Sequence, residues 1–193
     1  MTARLHLNAA GALLIGSQIL LGCLPATDGA NQTSAWTKSH RLGNGDVIVS
    51  APSNYCIDRS ASPTRNFVLM VNCDVLTEQA RTSPKARGIL TVSTSGRLGE
   101  TSQPLDLASS LGDGSLQSSK VPGLVIRYMF EEATPRLPGA AADHWRGLIQ
   151  LNNRIVSFAA YGPEGGTVLG ASGRRLLENL ALETIAASRS ETL

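Results

Sequence analysis

The chain has three cysteines, Cys23, Cys56 and Cys73, and thiols are among the most reactive side chains in proteins. A thiol can act as a nucleophile, bind a metal or form a disulfide, and its surroundings decide among these roles. A metal site would need further ligands close to the sulfurs. Beyond the amino-terminal leader the only histidines are His40 and His144, and neither lies near a cysteine in sequence. The sequence therefore predicts neither a metal site nor a cofactor.

Residues 1–22 are predicted to be a signal peptide. Arg4 and the amino terminus supply positive charge, and an apolar run follows that is too short and too interrupted to span a membrane, which takes about 20 apolar residues. The run ends in Leu20-Leu21-Gly22-Cys23, which resembles the lipobox of bacterial lipoproteins. The resemblance implies that Cys23 is alkylated with a diacylglyceryl group, and that the chain is cut before it and acylated at the new amino terminus.

The resemblance also implies a location. Two or more acyl chains hold a protein stably at a membrane. Leu24 stands where an aspartate would mark inner-membrane retention, so delivery to the outer membrane, facing the periplasm, is implied. Two alternatives stay open: an ordinary secretory signal cut further on, for instance after Ala26, and an uncleaved anchor in which Cys23 is a buried thiol.

If Cys23 carries lipid, Cys56 and Cys73 remain as a pair in an oxidising compartment, where we expect a disulfide. The alternative is two separate buried thiols. A bridge would draw Asp58 and Asp74 together, and with Arg59 they form a candidate polar site. Such a cluster can equally be an ion-pair network with a structural role.

The remaining motifs do not predict catalysis. Gly165 and Gly170 have the spacing of a phosphate-binding loop, but Ala171-Ser172 stands where that motif needs a lysine followed by serine or threonine. The same stretch lacks the second glycine of the serine-hydrolase motif G-x-S-x-G. His144 is expected to be an exposed histidine with no acid or nucleophile placed beside it. No catalytic residue is predicted.

Hydrophobic periodicity predicts a flexible tether over 23–40, followed by a single α+β domain over 41–193. Asn152-Asn153 predicts the turn of a hairpin, because asparagine tolerates positive φ. A short helix is expected in "PLDLASSLG" and a longer one in "RRLLENLALETIAAS", with Leu176, Leu177, Leu180 and Ala181 facing a sheet and Glu178 and Glu183 facing away. The expected fold is a mostly antiparallel sheet covered by a C-terminal helix and a short helix.

This order of elements over 46–188 resembles the PsbP-like α/β/α sandwich, and "NYCID" is similar to a short motif of uncharacterised bacterial envelope proteins. Neither resemblance assigns functional residues. A formal net charge of +2 and a single adjacent basic pair, Arg174-Arg175, argue against a nucleic-acid partner.

The sequence thus favours a lipid-anchored envelope protein whose domain binds or assists an envelope protein complex without being an enzyme. Two alternatives stay open: a small periplasmic hydrolase, or a carrier of an apolar ligand between sheet and helix, each with a site built from loops.

Overall fold

The computed structural model of the protein describes residues 35–77, 88–99, 105–130 and 138–190. The predicted signal peptide, Cys23 and most of the predicted tether lie outside these ranges. The strands in the described ranges are β1 (Trp36–Thr37), β2 (Ser39–Leu42), β3 (Val47–Ser50), β4 (Tyr55–Asp58), β5 (Phe67–Asn72), β6 (Ile89–Thr94), β7 (Ser115–Gln117), β8 (Val125–Met129), β9 (His144–Leu151) and β10 (Arg154–Tyr161). The α-helices are α1 (Cys73–Leu76), α2 (Leu107–Ser110) and α3 (Ala171–Ser190).

Eight of these strands form one antiparallel sheet in the order β1-β4-β5-β6-β10-β9-β8-β7. Strands β2 and β3 form a separate antiparallel pair. The predicted α+β class, with an antiparallel sheet, a C-terminal helix and a short helix, is confirmed.

The hairpin of β9 and β10 lies near the middle of the sheet. Its turn residues, Asn152 and Asn153, have φ values of 47° and 60°, as the sequence predicts for a tight turn between twisted strands. The register that follows pairs Val156 with Ile149 and Phe158 with Gly147. Because side chains alternate along a strand, this register directs one row of each strand toward α3.

The core lies between the sheet and α3. The sheet contributes buried side chains from alternate positions of β5, β6 and β10, namely Val68, Met70, Leu90, Val92, Val156, Phe158 and Ala160. From α3, Leu177, Leu180 and Ala181 are completely buried against them, and Leu176 is half-buried. These side chains fill the space between sheet and helix, so an apolar ligand carried there would have to displace them.

The opposite face of the sheet carries the short helix α2. Arg127 points away from the core residue Ile126, its neighbour on β8, and one of its guanidinium nitrogens donates to the Ala108 carbonyl at 3.1 Å. Asp106 caps α2, since its Oδ1 accepts hydrogen bonds from the backbone N–H groups of Ala108 and Ser109. Helices α2 and α3 therefore lie on opposite faces of the sheet.

The folded part starts earlier than the sequence indicated. Strand β1 and the first two residues of β2 lie inside the range 23–40 that was expected to be tether. They are held by pairing with distant segments: Trp36 lies opposite Asp58, and the Ala51 N–H donates to the Lys38 carbonyl. The compact unit accordingly spans Ser34–Leu193.

The end of α3 closes the open side of β3. The Ile48 N–H donates to Ser188 Oγ at 2.9 Å, and Ser188 Oγ donates in turn to the Thr184 carbonyl at 2.7 Å. A helix side chain thus satisfies the N–H of a β3 residue on the edge where no described strand lies. This contact attaches the small β2–β3 pair to the main body of the protein.

Candidate functional site

A disulfide joins Cys56 and Cys73, as predicted. Cys56 lies in β4 and is completely buried, whereas Cys73 is half-buried at the start of α1. The bond therefore fixes the end of β5 against its neighbour β4. Because the two residues are separated by 17 positions, the bridge closes a loop of moderate length.

The disulfide does not bring the candidate residues Asp58, Arg59 and Asp74 into one site. Asp58 pairs with Leu69 at one end of β4, while Asp74 lies beyond Asn72, which pairs with Tyr55 at the other end. Three residue steps along a strand separate these ends by about 10 Å.

Each of the three residues instead has a local structural role. The Asp58 carboxylate accepts hydrogen bonds from the Ser60 hydroxyl at 2.6 Å and from the N–H groups of Ser60 and Ala61. Partial burial raises the pKa of Asp58, but these hydrogen bonds outweigh it, and the net pKa is lowered. The Arg59 N–H donates to the Ala35 carbonyl, and Asp74 lies in the first turn of α1.

Lys38 lies beside the disulfide and was not singled out from the sequence. Its Nζ donates to the carbonyls of Ser53 at 2.8 Å and Tyr55 at 2.5 Å, and lies 3.4 Å from Cys73 Sγ. The lysine thereby joins the segment between β1 and β2 to the β3–β4 connection. No sequence motif indicates this arrangement, because the acceptors are main-chain carbonyls some 15 residues away.

A second polar cluster surrounds Asp46, just before β3. Arg154 Nε donates to Asp46 Oδ2 at 2.7 Å, and Arg97 donates to both carboxylate oxygens, with its Nε 2.9 Å from Oδ2. The hydrogen bonds from Arg97 and Arg154 hold the pKa of Asp46 at about 2. The carboxylate is fully engaged by its two guanidinium partners, so the cluster is suited to joining segments of the fold.

A concave surface with aromatic and charged groups lies between the edge of the sheet and the start of α3. We call it the aromatic cleft. It has a volume of about 510 Å³ and is lined by Ser115, Gln117, Tyr128, Phe130, Trp145, Leu169, Gly170, Ala171 and Arg174.

Three aromatic rings form the floor of the aromatic cleft. The ring centroids of Tyr128 and Phe130 are 5.1 Å apart in an edge-on arrangement, and those of Tyr128 and Trp145 are 4.7 Å apart. Phe130 is 62% exposed, the highest value among the large apolar side chains that the structure describes as exposed. An exposed phenyl ring beside two others offers a stacking surface for a flat apolar group.

Trp145 connects the aromatic floor of the cleft to the segment that leads into α3. Its indole Nε1 donates to the carbonyls of Leu169 and Gly170, at 3.2 and 3.1 Å. Gly173 makes this approach feasible, because a Cβ at that position would lie 1.7 Å from the Val168 carbonyl oxygen and 2.8 Å from Trp145 Cδ1.

Arg174 supplies the positive charge of the aromatic cleft. Its Nε is buried and has no hydrogen-bond partner among the described residues. Asp143 contacts the floor of the cleft, because its Oδ2 accepts a hydrogen bond from the Tyr128 hydroxyl at 3.4 Å. Burial and the Asp143 charge raise the pKa of Tyr128, so its hydroxyl stays protonated. The cleft thus combines aromatic faces with the guanidinium of a half-buried arginine.

Two side chains expected to be exposed are buried. His144 is 4% exposed, because its ring stacks on Tyr161 with centroids 4.7 Å apart and its Nδ1 lies 3.0 Å from the Ala142 carbonyl. Glu178 was expected to face away from the sheet, but it is 8% exposed and its Oε1 accepts a hydrogen bond from the Lys120 N–H. In both cases segments distant in sequence cover the side chain.

A further apolar pocket of about 340 Å³ lies at the other end of the sheet, between Val71, Ile89, Tyr161 and the turn at Pro138–Ala140. It borders residues outside the described ranges on two sides, since these ranges resume at Gly88 and at Pro138. Its lining is mostly apolar, with Asn72 and Tyr161 as the polar side chains among the described residues.

Searches against protein-family models, curated proteins and solved structures find no match for this chain. Within the described ranges, none of the helices is both long and apolar enough to cross a membrane. In the same ranges, no three histidine, cysteine or acidic side chains are grouped so that they could hold a metal ion.

Proposed function

We propose that this protein is a lipid-anchored component of the bacterial envelope that binds another envelope component through the aromatic cleft and is not an enzyme. The observation that carries the binding role is the cleft itself: the exposed ring of Phe130 and the half-buried side chain of Arg174 line one concave surface. Aromatic rings and a guanidinium are groups that are enriched where proteins bind their partners.

The anchor is proposed from Leu20-Leu21-Gly22-Cys23, with acylation at Cys23 and an outer-membrane location that faces the periplasm. The Cys56–Cys73 disulfide supports export, because disulfides persist in oxidising compartments. With lipid on Cys23 and a bridge between the other two, all three cysteines have a role.

Mass spectrometry of the mature chain tests the anchor. We expect a chain that begins at Cys23 and whose added mass corresponds either to a diacylglyceryl group alone or to that group plus a third acyl chain. We expect the Cys23→Ala variant to accumulate as an uncleaved precursor. A mature amino terminus at another residue without acyl mass would show that the protein is not a lipoprotein.

Photo-crosslinking in cells tests the binding role. A photoreactive phenylalanine analogue at position 130 should give a discrete crosslinked product with one envelope component. The same analogue at Leu182, which is 48% exposed on α3 but does not line the cleft, is the matched control. Equal crosslinking from both positions would mean that the cleft is not the binding surface.

A further inference from the structure

The aromatic cleft lies beside an open edge of the sheet. β7 is the last strand of the eight-stranded sheet, and within the described residues it pairs with β8 alone. Its outer edge therefore presents backbone N–H and C=O groups that no described strand satisfies. Open strand edges are templates for pairing with another chain.

The register joins this edge to the cleft. Ser115 pairs with Tyr128 and Gln117 with Ile126, so the side chains of Ser115 and Gln117 lie on the α3 face of the sheet. Both line the cleft. A strand added outside β7 would place every second side chain on this same face, next to the cleft mouth.

The charge of the cleft indicates which side chains a bound segment would carry. Among the described residues that line the cleft, Arg174 is the only charged one, and its Nε is buried without a hydrogen-bond partner in the same part of the chain. A carboxylate is the natural partner for a guanidinium, because the resulting hydrogen bonds are charge-assisted. The three rings on the floor favour an apolar or aromatic side chain beside that carboxylate.

We infer that the partner is bound as an extended peptide segment that adds a strand to β7, inserts an aromatic side chain into the aromatic cleft and places a carboxylate against Arg174. This inference rests on the proposed binding function and names the class of partner. Main-chain hydrogen bonds along β7 supply part of the affinity, and the cleft supplies the sequence preference. A charged carbohydrate could stack on the rings but would leave the strand edge unused.

Defined peptides test the inference on the full chain purified in detergent. The probes are heptapeptides with tryptophan at the third position and glutamate at the fifth, so that both side chains fall on one face of a strand, and with Val, Thr, Ser or Lys elsewhere. We expect members of this set to bind, and the same peptides with tryptophan replaced by alanine or glutamate by glutamine to bind more weakly. Failure of the whole set at millimolar concentration overturns the inference.

Arg174→Gln should weaken binding about tenfold or more, as expected when a charge-assisted hydrogen bond is lost. Arg175→Gln is the matched control, because Arg175 is the exposed neighbour that does not line the cleft. Circular dichroism of both variants shows whether they are folded. Equal affinities for the two folded variants would contradict the assigned role of Arg174.

N-methylation distinguishes strand addition from simple insertion of a side chain. Methylating alternate backbone nitrogens gives two versions of one peptide, and only the version whose methyl groups face β7 should lose binding. If both versions bind equally, no strand is added.

Trigalacturonate is the probe for an acidic carbohydrate. If this sugar binds and none of the peptides does, the peptide inference is wrong, whereas the proposed binding function still holds. If position 130 also gives no specific crosslink in cells, both proposals fail.

Discussion

Arg154 Nε donates a hydrogen bond of 2.7 Å to Asp46 Oδ2, and this contact joins the turn of the β9–β10 hairpin to the segment that leads into β3. The same arginine donates from Nη1 to the Ser95 carbonyl at 2.7 Å. Asn152 reinforces the junction, since its Nδ2 donates to the Asp46 carbonyl. One carboxylate thus holds together three segments that are more than 50 residues apart in sequence.

Because of this junction, we expect the free energy of unfolding to vary with pH in the acid range. Because hydrogen bonds from Arg97 and Arg154 lower the pKa of Asp46 from 3.8 to about 2 in the folded protein, its contribution is complete above about pH 5 and is lost as the pH falls toward 2. We expect the free energy of unfolding to decrease over this interval in the wild type, and less steeply in Asp46→Asn. Urea denaturation at a series of pH values measures both slopes.

Asp113→Asn is the control for Asp46→Asn, because Asp113 is exposed and the substitution changes the net charge equally. At pH 7 we expect Asp46→Asn to lower the free energy of unfolding by about 2 kcal/mol, as for a hydrogen bond to a charged group. Parallel pH profiles for the wild type and Asp46→Asn would show that the junction does not stabilise the fold.

The disulfide should contribute substantially to stability. Closing a loop between residues 17 positions apart restricts the unfolded chain. We expect reduction, or the double substitution Cys56→Ala and Cys73→Ala, to cost about 3 kcal/mol. Chemical denaturation with and without reductant measures the difference. Recovery of two free thiols by peptide mapping of the protein from the native envelope would refute the bridge.

Helix α3 offers a matched pair of leucines. Leu180 is completely buried in the core, whereas Leu182 is 48% exposed on the same helix. We expect Leu180→Ala to lower the free energy of unfolding by about 2–5 kcal/mol. Leu182→Ala should change it by less than about 0.5 kcal/mol. Because the two substitutions are chemically identical, similar costs for both would mean that α3 is not packed against the sheet as described.

Gly173 and Gly170 offer a second matched pair. A Cβ at Gly173 would collide with the Val168 carbonyl, while one at Gly170 would have its nearest neighbour at 3.7 Å, an ordinary contact. In an exposed helix, replacing glycine by alanine stabilises by up to about 1 kcal/mol. At Gly173 we expect the steric collision to outweigh this gain in helix propensity, so that Gly173→Ala lowers the free energy of unfolding by about 1–3 kcal/mol.

Tryptophan fluorescence shows whether the collision reaches the cleft. The shift of the tryptophan emission maximum should be larger for Gly173→Ala, because that substitution displaces the start of α3 from Trp145. Gly170→Ala should shift it less, because the Gly170 carbonyl still accepts the hydrogen bond from the indole Nε1. A Gly173→Ala variant with wild-type stability and fluorescence would contradict the close approach of helix and indole.

Some features of this protein follow from local sequence alone. The turn at Asn152-Asn153 was predictable because few residue types tolerate positive φ. The apolar stripe of α3, with Leu177 and Leu180 one turn apart, was predictable because helical spacing places such residues on one face. The pairing of Cys56 with Cys73 was predicted because Cys23 was assigned to lipid, and the structure confirms the pairing. Cys23 itself lies outside the described residues.

Other features depend on which distant segments meet, and no local pattern encodes that. β1 and the start of β2 have the composition of a tether, yet they are ordered by pairing with β4 and β3. Asp58 and Asp74 flank the disulfide in sequence, but the register of β4 and β5 places them at opposite ends of a strand.

The aromatic cleft is likewise a product of tertiary structure. Tyr128, Trp145 and Arg174 come from β8, β9 and α3, and they meet because the sheet order and the small Gly173 bring those elements together. The amino-acid sequence by itself determined where chain segments bend, coil and present apolar faces, since those preferences act over a few residues. Only long-range strand pairing and helix packing decided which polar and aromatic groups share a surface, because that depends on contacts between residues far apart in the chain.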